Sequence, residues 1–186
     1  MDALLPIFIA VLLAETGGRV QCRSHDLQRR FNAAGAILGA LALTTLASFM
    51  VGGLGGAILS GMISFEARSL MVGLALILAG VPMLLRPKPL RDLAGNAAFA
   101  TSVKAFVRLQ FGDASQFLVF ALAARSAQPA LSIGAGLAAV LVVAGVPLLL
   151  GRDWPGRLRL GLLRRVAALL LIAAGCRMVV VALELI

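Results

Sequence analysis

The sequence predicts an all-α membrane protein with six transmembrane helices, arranged as two inverted repeats of three helices each. Of the 186 residues, 61% are hydrophobic and only 13% are charged, whereas about a quarter of a soluble domain is charged. The stretches 31–65 and 131–151 contain no charged residue, and each is long enough for a helix to cross about 30 Å of hydrocarbon. In addition, the second half of the chain repeats polar and glycine positions of the first half at a constant offset.

Six apolar windows define the expected spans. They lie near residues 3–21, 33–52, 67–85, 99–124, 131–150 and 164–184. The second apolar stretch is longer than one span, so we expect its helix to end near Gly52–Gly56 and residues 57–65 to form an extracellular connector. Together the spans use most of the chain, which predicts a single membrane domain over residues 1–186 and leaves no room for a soluble domain.

The basic residues lie mainly in alternate loops, which predicts the orientation of the chain. Twelve are found after spans one, three and five, and only Arg68 and Arg125 follow spans two and four. The positive-inside rule therefore predicts that loops 1-2, 3-4 and 5-6 are cytoplasmic and both termini are outside. This distribution explains the net charge of +9 without a nucleic-acid partner, and we expect an integral protein of the bacterial inner membrane. The twelve are Arg19, Arg23, Arg29, Arg30, Arg86, Lys88, Arg91, Arg152, Arg157, Arg159, Arg164 and Arg165.

A shift of the chain by about 95 residues aligns its two halves without a gap. Glycine and polar matches are more informative than leucine or alanine matches in such an apolar sequence. The aligned pairs are Gly17 with Gly112, Gln21 with Gln116, Arg30 with Arg125, Gly39-Ala40 with Gly134-Ala135, and Ala79-Gly80 with Ala174-Gly175. We infer two copies of a three-span unit, at about 1–90 and 96–186. An odd number of spans makes the second copy enter the membrane from the opposite side, which predicts the inverted repeat of many secondary transporters.

Two short polar clusters, at 15–21 and 110–116, interrupt apolar spans at equivalent points of the repeat. An ionised carboxylate near the middle of a membrane costs about 2.5–3.5 kcal/mol on insertion scales, so it normally faces a partner or a cavity. In the second cluster Gln110, Asp113 and Gln116 fall on one helix face. Their oxygen and amide groups suit hard cations such as Ca²⁺ or Mn²⁺, or protons. Glycine within each cluster permits a local break in the helix.

These clusters resemble the motif of a known family. Members of the transmembrane-protein-165/Gdt-one family of divalent-cation/proton antiporters (the uncharacterised family 0016 group) carry E-x-G-D-(K/R)-(T/S), usually continuing to Gln, on the first and fourth helices of an inverted repeat. The stretch 106–116 resembles the second copy and the stretch 8–21 resembles the first. The matching residues are Glu15, Gly17, Arg19 and Gln21 in the first copy and Gly112, Asp113, Ser115 and Gln116 in the second.

The sequence departs from the family motif at four positions. Gly18 and Val20 replace the acidic and hydroxyl residues of the first copy, while Gln110 and Ala114 replace the glutamate and the basic residue of the second. A family site with four carboxylates is thereby reduced to Glu15 and Asp113.

The resemblance implies a secondary transporter that exchanges a divalent cation, Mn²⁺ or Ca²⁺, for protons. Glu15 and Asp113 would bind the transported ion, assisted by Gln110, Gln116 and Ser115. The ion is cargo, and no resident cofactor is expected. An enzyme is not expected either, because the sequence contains no Ser/His, Cys/His or paired-Asp catalytic constellation.

The missing carboxylates leave a second hypothesis open, a transport-inactive membrane protein of the same fold with a structural, partner-binding or regulatory role. Arg177 lies deep in the sixth predicted span and bears on this choice. It is expected either to form a counter-ion to Glu15 or Asp113, which would take the position of a bound cation, or to extend to the membrane interface.

Overall fold

The computed structural model describes residues 4–85, 95–150 and 160–183, and these residues form eight helices without a strand. Each polar cluster predicted to interrupt a span separates two of these helices. The helices are α1 Leu4–Glu15, α2 Arg19–Phe31, α3 Ala34–Ser60, α4 Phe65–Leu84, α5 Ala98–Gln110, α6 Ala114–Ser126, α7 Pro129–Leu150 and α8 Leu160–Ala182.

Four of the described helices, α3, α4, α7 and α8, are individually long and apolar enough to cross a membrane. The pair α1 and α2 passes the same test as one unit, bent by 63° at the break between its halves. The structure thus gives four to five candidate spans and confirms an all-helical membrane protein. Six spans remain a prediction, because they require α5 and α6 to cross together as well.

The prediction that the second helix ends near Gly52–Gly56 is wrong. Helix α3 continues through these glycines to Ser60, because they form its contact with α6. A Cβ atom at Gly56 would lie only 2.1 Å from the backbone oxygen of Phe120, and one at Gly52 would lie 3.0 Å from that of Gln116. The glycines therefore allow two helix backbones to touch, which is the packing role of small residues in membrane helices.

Helices α4 and α8 make a similar close contact. A Cβ atom at Gly80 would lie 2.9 Å from the backbone oxygen of Ala168, and one at Gly175 would lie 2.7 Å from that of Gly73. Gly80 and Gly175 are 95 positions apart, and so are Gly73 and Ala168. The second contact is therefore the repeat equivalent of the first. The matched glycines of the sequence comparison are thus the points at which the two helices approach each other.

The apolar side chains form two clusters. One joins α1, α2, α3, α5, α6 and α7 around Phe49 and Phe106, and the other joins α1, α4, α6 and α8 around Leu76 and Leu118. Helices α1 and α6, which flank the two breaks, therefore contribute to both clusters.

Six basic residues of two predicted cytoplasmic loops lie outside the described residues. They are Arg86, Lys88, Arg91, Arg152, Arg157 and Arg159. The orientation of the chain in the membrane remains a prediction from the charge distribution.

Substitution of Gly56 by alanine tests the contact between α3 and α6. The added methyl group requires the backbone of α6 to move, so Gly56→Ala should lower the free energy of unfolding by about 1–3 kcal/mol, the usual cost of overpacking. Thermal or denaturant unfolding of the purified protein in detergent measures this change. Gly35→Ala is the matched control on the same helix, because nothing lies within 4 Å of a Cβ atom there. An equal effect of the two substitutions would contradict the proposed packing.

Candidate intramembrane ion site

Both helix breaks depend on a glycine with a left-handed backbone. Gly17 has φ +66° and Gly112 has φ +76°, a conformation that costs residues with a Cβ about 1–2 kcal/mol. The breaks leave backbone groups of α1 and α5 without their usual helical partners, and in an apolar interior such groups must be satisfied by other means. The predicted break of the helix at the glycine of each polar cluster is thus confirmed.

A glutamine side chain satisfies each break and also joins it to the other half of the chain. Oε1 of Gln21 accepts a hydrogen bond from the Gly17 N–H at 2.9 Å, while its Nε2 donates to the Val143 carbonyl at 3.2 Å. Gln116 bonds in the same way to the Gly112 N–H at 2.7 Å and to the Ser48 carbonyl at 3.1 Å. Because Ser48 and Val143 are themselves 95 positions apart, all the partners in these two sets of bonds are related by one offset.

Glu15 and Asp113, which come from different halves, line one small cavity of about 90 Å³. Glu15 is the last residue of α1 and is only 3% exposed. Its Oε1 accepts a hydrogen bond of 2.6 Å from the hydroxyl of Ser115. Asp113 is the N-cap residue of α6 and is partly buried. The structure thus brings together three of the five predicted ion ligands.

The other two predicted ligands, Gln110 and Gln116, are not among the residues that line this cavity. Both polar atoms of the Gln116 side chain are engaged at the helix break. The fully buried Gln110 donates from Nε2 to the Thr45 hydroxyl at 2.9 Å, and its backbone carbonyl accepts a hydrogen bond from Ser48. Its Oε1 has no hydrogen-bond partner among the described residues.

Thr45 and Ser48 are not among the predicted site residues, although the sequence contains a signal for them. Together with Thr44 they form a buried polar group within the otherwise apolar helix α3. Hydroxyl residues three or four positions apart in a membrane helix lie on one face and often bond to a neighbouring helix.

Gly18 is the position in α2 that corresponds to Asp113 in α6. The two residues have the same role as N-cap and a similar extended backbone. A Cβ atom at Gly18, however, would lie 2.8 Å from the backbone oxygen of Glu15. The first helix break therefore leaves no room for a side chain at residue 18, the position at which the family motif carries its other aspartate.

Two arginines line the cavity of Glu15 and Asp113, and neither is Arg177. Arg19 has an exposed side chain, whereas Arg164 is partly buried and donates from Nη2 to the Pro82 carbonyl at 3.0 Å. Arg177 instead lines a separate cavity with Phe65 and Glu66. The expectation that Arg177 is a counter-ion in the carboxylate cavity is therefore not met, because the end of α8 that carries it faces another part of the bundle. Sequence analysis had counted Arg164 only as a loop residue.

The described residues contain no group of three or more His, Cys, Asp or Glu side chains that could hold a metal ion. Any cation in the cavity would therefore meet at most two carboxylates from these residues. Hydroxyl, carbonyl and water oxygens would have to complete its coordination.

Apolar helices of spanning length, two helix breaks and a buried pair of carboxylates define a polytopic membrane protein with a polar site in its interior. The family model described as "Divalent cation/proton antiporter GDT1" matches residues 98–185. The second half of the chain is therefore similar to this family, whose motif both polar clusters resemble. That family consists of transporters, in agreement with the prediction that the chain is not an enzyme.

The matched segment covers just under half of the chain. It includes Gln110, Asp113, Ser115 and Gln116, whereas Glu15 lies outside it. No curated protein and no solved structure matches the chain significantly.

Replacement of Gln21 by methionine tests the bonds at the first break. The change keeps the length of the side chain but leaves the Gly17 N–H and the Val143 carbonyl without their partner, so it should destabilise the protein by about 1–3 kcal/mol. Unfolding of the purified protein in detergent measures the effect, and Gln116→Met should behave alike. Gln128→Met is the control, because the Gln128 side chain is exposed. If all three variants unfold like the wild type, the glutamines do not hold the breaks.

Proposed function

We propose that the chain is a secondary transporter that exchanges a divalent cation, Mn²⁺ or Ca²⁺, for protons. Its reduced ion site is formed by Glu15 and Asp113. The observation that carries this proposal is that these carboxylates, one from each broken helix, line the same cavity. The match of the second half of the chain to a family described as divalent cation/proton antiporters supports the activity.

The chemistry of the cavity favours a hard divalent cation. Two carboxylates neutralise one such ion, and Mn²⁺ and Ca²⁺ both accept oxygen ligands. The Ser115 hydroxyl is a further oxygen within reach of Glu15. The cavity of about 90 Å³ has room for an ion together with several water molecules, since about 10–15 Å³ of such volume holds one water.

Proton coupling follows from the burial of the same two groups. A carboxylate enclosed by apolar side chains is costly unless its charge is neutralised, either by a bound cation or by a proton. Cation and protons would then be alternative occupants of one cavity, and the entry of one would release the other. This is the minimal requirement for exchange through a single site.

We further propose that residues 1–90 and 96–186 form inverted repeats that permit alternating access. The equivalent hydrogen bonds of Gln21 and Gln116, and the equivalent glycine contacts of α4 and α8, support this arrangement. If each repeat adopted the conformation of the other in turn, the cavity would open first to one side of the membrane and then to the other.

Within this proposal, the predicted ligands have different roles. Glu15, Asp113 and Ser115 contact the ion, whereas Gln116, together with Gln21, holds the broken helices in position. Gln110 acts indirectly, because its bonds to α3 fix the end of α5 next to the break.

The transport-inactive alternative is favoured by one observation, the presence of Arg19 and Arg164 in the wall of the carboxylate cavity. Two tethered guanidinium groups could balance two carboxylates permanently, which would leave no charge for a mobile cation. The retained fold would then have a structural, partner-binding or regulatory role.

Neutralisation of either carboxylate tests the transport site. In proteoliposomes with an imposed pH gradient, Asp113→Asn and Glu15→Gln should each reduce Mn²⁺ or Ca²⁺ flux by about tenfold or more, because each removes a charged ligand worth about 1.5–3 kcal/mol. Asp26→Asn is the control, since Asp26 is an exposed carboxylate on α2 that does not line the cavity. Wild-type flux in Asp113→Asn would rule out the assigned site.

Cation-dependent thermal stability distinguishes the two hypotheses. If the wild type binds Mn²⁺, an excess of about 100 times Kd should stabilise it by about 2.7 kcal/mol, and the unfolding temperature should rise by several degrees. The Arg19→Gln variant should then bind more tightly, because a competing positive charge is gone. In a transport-inactive protein the wild type would show no shift, and stabilisation by Mn²⁺ would arise only after removal of an arginine.

A further inference from the structure

A second and larger cavity, of about 410 Å³, lies at one end of the bundle. It is formed where α4 begins and where α6 and α8 end, and it shares no lining residue with the carboxylate cavity. The charge distribution of the loops predicts that this end of the bundle faces outside. The wall carries two basic side chains, Arg125 and Arg177, and one acidic side chain, Glu66.

The positive charges of this cavity are not balanced by ion pairs with the described residues. The Arg125 guanidinium lies over the ring of Phe65, at 5.6 Å from its centroid, and its Nη1 approaches the sulfur of Met178 at 3.8 Å. Neither partner carries a charge. Arg177 is exposed, and the structure gives it no hydrogen bond or ion pair to another described residue. Among the described residues, Glu66 is therefore the one acidic side chain in the wall beside these two guanidinium groups.

Ser69 provides an independent sign of a ligand. Its side chain lines the same cavity and is only 8% exposed, yet its hydroxyl has no hydrogen-bond partner among the described residues. A buried hydroxyl without a partner is costly. The oxygen itself is enclosed, so an acceptor in the cavity would satisfy it once the Ser69 side chain turns towards the cavity.

The remaining wall is apolar, and the position suits a lipid. Ala174, Met178, Val181 and Ala182 line one side from α8, and their surface can accept acyl chains. Arginine pairs bind phosphate groups by charge-assisted hydrogen bonds. Glu66 has a fully exposed carboxylate in the first turn of α4, where it repels a second anionic group and attracts an ammonium group.

We propose that this cavity binds the headgroup of phosphatidylethanolamine, with Arg125, Arg177 and Ser69 on the phosphate and Glu66 on the ammonium group. The lipid would join α4, α6 and α8 at the membrane interface. This proposal does not depend on cation transport, because it uses none of the residues assigned to the ion site.

Titration of the delipidated full-length protein in detergent tests the proposal, with bound lipid counted by native mass spectrometry. Phosphatidylethanolamine should bind at least about tenfold more tightly than phosphatidylglycerol, which lacks the ammonium group, or phosphatidylcholine, whose ammonium cannot donate a hydrogen bond. The double substitution Arg125→Gln with Arg177→Gln should weaken its binding by a similar factor. Glu66→Gln should remove the preference over phosphatidylglycerol.

Arg165→Gln is the matched control, because Arg165 is an exposed arginine on α8 that does not line the cavity. It should leave lipid binding unchanged. If the double variant fails to fold, as judged by its unfolding temperature, Arg177→Gln alone provides the test on an exposed side chain. Equal binding of phosphatidylethanolamine to the wild type and to Arg177→Gln would overturn the proposal. Chain-free phosphoethanolamine that binds as tightly as the lipid would overturn it too, since the ligand would then be a soluble phosphate ester.

Discussion

The structure depends on the need to satisfy backbone groups where two helices break inside an apolar bundle. In such an environment a free N–H or carbonyl group costs several kcal/mol. Gln21 and Gln116 meet this need, each with one bond to a glycine in its own break and one to a carbonyl of the opposite half. The same side chains therefore hold the breaks open and tie the halves together. A change in either break would therefore alter the contact between the two halves.

These breaks determine where charge can be buried. Because α1 ends at Glu15 and α6 begins after Asp113, both carboxylates project from helix ends rather than from the middle of a continuous helix. The Ser115 hydroxyl donates a hydrogen bond directly to Glu15. Arg19 and Arg164 also line the carboxylate cavity. In the proposed transporter, a bound cation has to compete with these two guanidinium groups for the two carboxylates.

The rest of the bundle is rigid where the halves meet. Glycines bring the backbone of α3 onto α6 and that of α4 onto α8, and such contacts tolerate little change in the distance between helices. For the proposed alternating access, rotation of one half against the other therefore fits these contacts better than separation of the helix pairs. The second cavity, at the ends of α4, α6 and α8, lies at the margin of the tightly packed region, where a lipid can occupy the space between helices.

Much of the architecture follows from composition and pattern alone. An excess of apolar residues requires helices, because only internal hydrogen bonding is possible in a membrane, and glycine within a polar cluster predicts a break. The offset of 95 residues predicted equivalent positions that the structure then shows in equivalent contacts, such as those of Gly80 and Gly175. The pairing of Glu15 with Asp113 was likewise accessible, because both belong to the same duplicated motif.

The tertiary structure decided what depends on neighbours that are distant in the chain. The local sequence around the glycines of α3 predicts a helix end, yet these glycines form a contact surface. Only the position of α6 shows why a Cβ atom is excluded there. Gln116 reads as an ion ligand from its place on a helix face, but a carbonyl of α3 and a glycine N–H already occupy its polar atoms. Arg164 was predicted to lie in a loop, yet it lines the carboxylate cavity. Arg177 was predicted to be either a counter-ion or an interfacial residue, and it lines the other cavity. The sequence thus determined which polar groups are buried and where the helices break. The packing of one half against the other determined which of these groups come into contact.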